Sequence, residues 1–213
     1  MTHMRDEIFE QPDVIDRMLR DGPAALAPIV DAVQTRGVRF ICIAARGTSD
    51  HAAQYAKYLF EIQNGIPVML AAPSVYTLYG GAPLLGKDVL TIGISQSGAG
   101  PDVRTVIEQA RAQGALTLGI TNQADSPLAK AAEYVLVTPA GAEVSVAATK
   151  TYTSALATIA QLSAALLPDT AEKQAELTGL PDHMRAVLRQ EDAIESIAPI
   201  APASSCFHTI ARL

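Results

Sequence analysis

The sequence predicts an α/β fold: a three-layer, doubly wound, five-stranded parallel sheet. Short apolar runs of strand length alternate with amphipathic helical patterns, the alternation repeats along the chain, and the turns after the runs are rich in glycine and hydroxyl side chains. The chain has 213 residues, room for one full α/β domain and a remainder. Its apolar fraction of 49% against 18% charged residues is that of a chain that buries a core.

Two helical patterns open the chain, over residues 8–19 and 24–33, interrupted at Pro12 and at Gly22-Pro23. Residues 38–44 form an apolar run of strand length, followed by a glycine turn and a helical pattern over 51–62. The same unit recurs as 67–71 before 73–79, 88–94 before 102–113, and 115–120 before 126–132. Residues 134–137 close the series of strands, and 151–166 is a further helix. Runs that are apolar at every position, not at alternate ones, belong to strands buried on both faces, hence to a parallel sheet sandwiched by helices. Right-handed crossovers then bring the loops after the strands to one edge of the sheet, where such sheets bind ligands.

Charge and composition exclude several functions. Lys plus Arg number 16 and Asp plus Glu 22, so the net charge of −6 leaves no basic footprint for nucleic acid. No apolar run approaches the roughly 18 residues of a membrane span, and the first residues lack a signal-peptide core, which makes a cytoplasmic protein with no membrane partner the expectation. Cys42 and Cys206 stand alone in apolar runs, and His3, His51, His183 and His208 show no ligand spacing, so neither a disulfide, a metal site nor another cofactor is expected.

Three post-strand loops carry the candidate chemistry: Arg46-Gly47-Thr48-Ser49, Ser95-Gln96-Ser97-Gly98-Ala99-Gly100, and the stretch from Gly141 to Lys150. Small hydroxylated loops that feed helices present free N–H groups, side-chain donors and the positive end of a helix dipole, which together suit a phosphate. Residues 81–88 nearly spell a P-loop, but Asp88 stands where a Ser or Thr would hold magnesium, and the segment precedes a strand where a P-loop follows one. Gly93-Ile94-Ser95-Gln96-Ser97 resembles a hydrolase nucleophile elbow without its second glycine. Lys150, at a helix start beside two candidate loops, is expected to pair with Glu143 or with the ligand. Glu143 can serve as a loop N–H acceptor or reach a sugar hydroxyl.

Ala45-Arg46-Gly47-Thr48-Ser49, Ser95-Gln96-Ser97-Gly98 and the segment from Ala140 to Lys150, in this order, resemble the sugar isomerase (SIS) domain family. The likeness is to the first SIS domain in the isomerase half of glucosamine-fructose-6-phosphate aminotransferases and to SIS-type glucosamine-6-phosphate deaminases. The opening segment from His3 to Pro12 is similar to the start of that half. The resemblance implies a flavodoxin-like sheet, a homodimer formed through the domain, and binding of a hexose 6-phosphate. By position, it implies Ser95, Gln96 and Ser97 around the phosphate with Gly98 and Gly100 in the same loop. It also implies Thr48 and Ser49 beside phosphate and sugar and Val146 lining the sugar; Lys150 is a further candidate substrate-binding residue, with Gly47 and Glu143 secondary. Gly100 and Ala148 stand where the aminotransferases carry a phosphate-binding Thr and a sugar-facing Ser, and Thr2 stands where their glutaminase half has its nucleophilic Cys.

Residues 206–212 read as a strand that repeats residues 40–46. The organisation expected is therefore a helical segment over 1–22, a SIS domain over 23–170, a helical linker over 171–203, and over 204–213 the first strand of a second SIS domain, in a truncated chain. The resemblance places the catalytic Glu, Lys and His in that second domain and its tail, so no catalytic residue is assigned and this chain is expected to bind without turnover. The alternative is a non-catalytic SIS module that senses sugar phosphates.

Overall fold

The computed structural model describes residues 3–197. Helix α1 (His3–Arg36) leads into a βα series: β1 (Phe40–Ala45), α2 (Thr48–Leu59) extended by a π turn (Phe60–Asn64), β2 (Val68–Leu70) and α3 (Pro73–Thr77). There follow β3 (Val89–Ile94), α4 (Pro101–Ala112), β4 (Leu116–Thr121), α5 (Pro127–Ala131), β5 (Tyr134–Val137) and α6 (Lys150–Ala165). Three short helices, α7 (Ala171–Thr178), α8 (Leu180–Leu188) and α9 (Glu191–Ile197), end the described chain. The strand expected over 206–212, with Cys206 and His208, lies outside the described residues.

The five strands pair in the order β2-β1-β3-β4-β5, and every pairing is parallel. That is the doubly wound sheet expected from the apolar runs. Successive side chains point to opposite faces, so Ile41, Ile43 and Ala45 pack beneath α1, α2 and α6, whereas Cys42 and Ala44 face the side of α3, α4 and α5. All residues of β3 and β4 are buried. Burial in this apolar layer pushes the Cys42 thiol up to about 11, which makes it an inert packing residue.

α1 corrects the expectation of two helices broken by proline. It runs without interruption through Pro12, Pro23 and Pro28, burying Val14, Ile15, Met18, Leu26, Ile29 and Val33. A proline inside a helix leaves the carbonyl four residues earlier without its donor. At Pro12 that carbonyl belongs to Ile8, and the Gln11 side-chain amide donates to it over 3.1 Å. The apolar stripe packed along α6 carries the helix past the other two.

Candidate functional site

Register brings the site residues together. Ala45 pairs with Ile94, and Ile94 with Ile120, so the three strands release Arg46, Ser95 and Thr121 side by side at their C-terminal edge. A cleft of about 270 Å³ opens there. Thr48, Ser49, Ser95, Gln96, Ser97 and Val146 line it, as expected.

The loop after β3 is built as a donor cradle. Gly98 N–H donates to Ser95 Oγ over 3.1 Å, and Ala99 N–H to Ser97 Oγ over 3.3 Å. Each hydroxyl accepts from its own loop and so keeps its proton free for a ligand oxygen. Outside the cradle, Gln96 C=O accepts from Asn122 N–H at 3.0 Å and from the Thr121 hydroxyl at 3.2 Å. Gly98 itself is buried and does not line the cleft: its φ of +59° turns the loop, and a Cβ there would collide with Ser126. Gly100 lies outside the lining too, as N-cap of α4 ahead of Pro101, and Gly47 caps α2 with φ +60°. Two helix N-termini thus flank the cleft, and the four first N–H groups of a helix have no intrahelical acceptor.

The other wall comes from the loop between β5 and α6, and the structure corrects the expectation for its charged residues. Lys150 is buried, at 4% exposure, but its ammonium pairs with Glu10 of α1, not with Glu143, and it does not line the cleft. Glu143 is turned to the start of α6. Its carboxylate accepts from the N–H groups of Thr149 (2.9 Å) and Thr151 (3.1 Å) and from both their hydroxyls, so it caps the helix and does not line the cleft.

A second tether of this loop comes from α1. Glu7 of α1 is 5% exposed and accepts from the N–H groups of Val144 and Ser145. The Ser145 side chain and the Val144 N–H hold its carboxyl below the usual carboxylate range. A short polar clasp completes the wall: Asn122 Nδ2 donates to Gly141 C=O over 2.7 Å, and Ala140 N–H donates to Asn122 Oδ1 over 3.1 Å.

Sequence reasoning missed Thr121, Asn122, Thr138 and Tyr152, and gave no role to Arg46 of the first candidate loop; all five line the cleft. Thr121-Asn122 follows β4 at the same edge as the serine loop, which is the signal that would have found it. No group of three or more His, Cys, Asp or Glu that could hold a metal occurs among the described residues. Nor is any described helix long and apolar enough to cross a membrane.

Comparison with known proteins gives a consistent family. The SIS domain matches residues 36–165. The chain is 36% identical over 209 residues to a glutamine--fructose-6-phosphate aminotransferase [isomerizing] of Methanothermobacter thermautotrophicus, covering 98% of this chain and 34% of that protein. The chain therefore spans about a third of the length of the curated relatives it matches. Among solved structures, a Silicibacter pomeroyi protein named only as a candidate phosphosugar isomerase superposes with a TM-score of 0.84 at 35% identity, over 89% of this chain and 57% of that one. The C-terminal domain of glucosamine-fructose-6-phosphate aminotransferase from Francisella tularensis gives 0.76 at 25% identity, over 92% of this chain and 58% of that one.

Proposed function

Because this chain belongs to the SIS domain family, we propose that its cleft binds a hexose 6-phosphate of the amino-sugar series. In this reading the chain supplies the phosphosugar-binding half of an isomerising aminotransferase or glucosamine-6-phosphate deaminase and forms homodimers through the domain. The observation that carries it is the cradle after β3, where Ser95 and Ser97 hold their hydroxyl protons outward beside the N-terminus of α4. Thr48 and Ser49, in the first turn of α2, add donors from the opposite side of the cleft. The wall of Val146 and Ala148 faces the sugar ring.

Interconverting a 2-amino aldose and a ketose requires a general base beside the C1–C2 unit. No carboxylate lines this cleft among the described residues, and Glu143 is engaged with Thr149 and Thr151. The domain by itself therefore holds and orients the substrate, and proton transfer falls to a group outside the cleft described here.

Titration calorimetry tests the reading. Glucosamine 6-phosphate should bind and glucosamine should not. The double change Ser95→Ala with Ser97→Ala should weaken binding by about 1–3 kcal/mol for each charge-assisted bond lost. Unchanged affinity in the double variant would sink the assignment. Sedimentation at several protein concentrations reads the proposed dimer.

A further inference from the structure

The cleft wall is uncharged except at one point. Arg46 is the single charged side chain among its lining residues, where the other polar groups are hydroxyls and amides. It leaves β1 directly after Ala45, whose ladder partner is Ile94, so Arg46 and Ser95 emerge next to each other at the phosphate end. Its side chain is 60% exposed at the mouth, with Nη1 3.5 Å from Asp102 Oδ2.

That pairing is loose. A charge-assisted N–H···O bond closes to about 2.7–2.9 Å, and no other acidic group pairs with this guanidinium among the described residues. Asp102 has a second reason to sit where it does, because it lies in the first turn of α4, where the helix dipole favours an anion. Its carboxylate does not line the cleft, but beside Arg46 and two residues after the serine loop it is near enough to repel a bound phosphate. Arg46 has five N–H donors in a planar fork suited to carboxylate and phosphate alike.

Resting on the phosphosugar reading above, we infer that Arg46 sets the charge selectivity of this cleft. On binding, its guanidinium turns from Asp102 to the phosphate, supplying the one full positive charge in a cradle otherwise made of neutral donors and screening the ligand from Asp102. The ligand class it selects is a phosphate monoester in its dianionic form, ahead of the monoanion and ahead of neutral sugars. Asp102 is the internal competitor that holds the arginine at the mouth when the cleft is empty.

Calorimetry on the full chain with fructose 6-phosphate and glucosamine 6-phosphate decides it, using Arg46→Met, Arg46→Lys and Asp102→Asn beside wild type and the Ser95→Ala, Ser97→Ala control. Arg46→Met should weaken both ligands roughly 10- to 100-fold, the affinity equivalent of one hydrogen bond to a charged group, and Arg46→Lys should fall between it and wild type. Asp102→Asn should tighten binding several-fold, a gain that a merely structural ion pair does not predict. Between about pH 5.5 and 7.5 the phosphate takes its second charge, near pH 6, so wild-type affinity for fructose 6-phosphate should rise across that window and the Arg46→Met profile should be flatter. If Arg46→Met, with an unchanged thermal melt, binds like wild type while the serine variant loses binding, the arginine role is overturned and the phosphosugar reading stands. If folded wild type binds neither phosphosugar at millimolar concentration, both are overturned.

Discussion

The two loops that wall the cleft are held by opposite means. Residues 95–100 are fastened by the fold itself: Ser95 N–H donates to Ile120 C=O, Asn122 N–H to Gln96 C=O and Leu128 N–H to Gly98 C=O, each at 3.0 Å. Every one of these bonds links neighbouring strands or the helix beside them, and none needs an ionised group. Residues 139–149 are held largely by carboxylates. Glu143 ties the loop's end to α6, Glu7 reaches the loop from α1, 137 positions away at Val144, and Glu10 holds Lys150 just beyond it at the start of α6. The first wall is as rigid as the sheet. The second hangs on side chains from other parts of the chain, so losing one of them should loosen it before the sheet is touched.

Gly98→Ala should have the largest effect, because it attacks the wall that has no independent fastening. The added Cβ is forced on a residue with φ +59° and into Ser126, so strain and overpacking together should cost about 2–4 kcal/mol. Differential scanning calorimetry should record a melting temperature lower by roughly 5–15 °C, and phosphate affinity should go with it. A normal melt would show that the first wall yields more easily than its backbone bonds imply.

Glu7→Gln should act at the other wall alone. Affinity for the whole phosphosugar should drop roughly five- to tenfold as charged hydrogen bonds to Val144 and Ser145 become neutral ones, while affinity for inorganic phosphate stays at the wild-type value. The pH dependence follows from the lowered carboxyl pKa of Glu7. A carboxyl depressed in the folded state contributes stability that is present above its unfolded pKa and lost as pH falls through the folded one. The melting difference between wild type and Glu7→Gln should therefore be full near neutrality and shrink below about pH 4. A difference that is constant with pH would assign the tether to packing, not charge.

Lys150→Met should have the smallest effect. The ammonium is buried but its partner Glu10 keeps half of its side chain in solvent, so the released carboxylate rehydrates and the loss should be about 1 kcal/mol or less. Methionine keeps most of the stem in place. A melting temperature and a phosphosugar affinity both equal to wild type would make the lysine a packing residue and leave Glu7 as the main tether from α1.

The parts legible in the sequence are those that local pattern encodes. Fully apolar runs announced buried parallel strands, and parallel strands placed Ser95, Thr48 and Ser49 on one edge. The illegible parts are those where distant segments meet. Glu7 and Glu10 look like solvated helix charges until the fold brings the 139–149 loop above them. Lys150 was read against the acid nearest in sequence, Glu143, although that carboxylate is engaged by Thr149 and Thr151. Pro12 read as a helix break because the compensating donor is a side chain, Gln11, which pattern rules do not weigh. Asn122 was passed over because a lone Asn after a strand looks like an ordinary turn residue, whereas here it joins both walls.

The placement of α1 also has a consequence during synthesis. Its apolar stripe finds its cover on α6, and Glu7 finds the Val144 N–H 137 residues further along the chain. At ribosomal rates of about 5–20 residues per second, the helix waits roughly 7–30 s for those partners to be made. During that interval Ile15 and Met18 lack the α6 residue Ala157 that they pack against, whereas Leu26, Ile29 and Val33 meet the first part of their core once β1 is made. The nascent chain thus carries part of the α1 stripe well ahead of the α6 surface that covers it. Changes that widen the α1 stripe should lower the yield of soluble protein in cells even where they leave the melting temperature of the finished domain untouched.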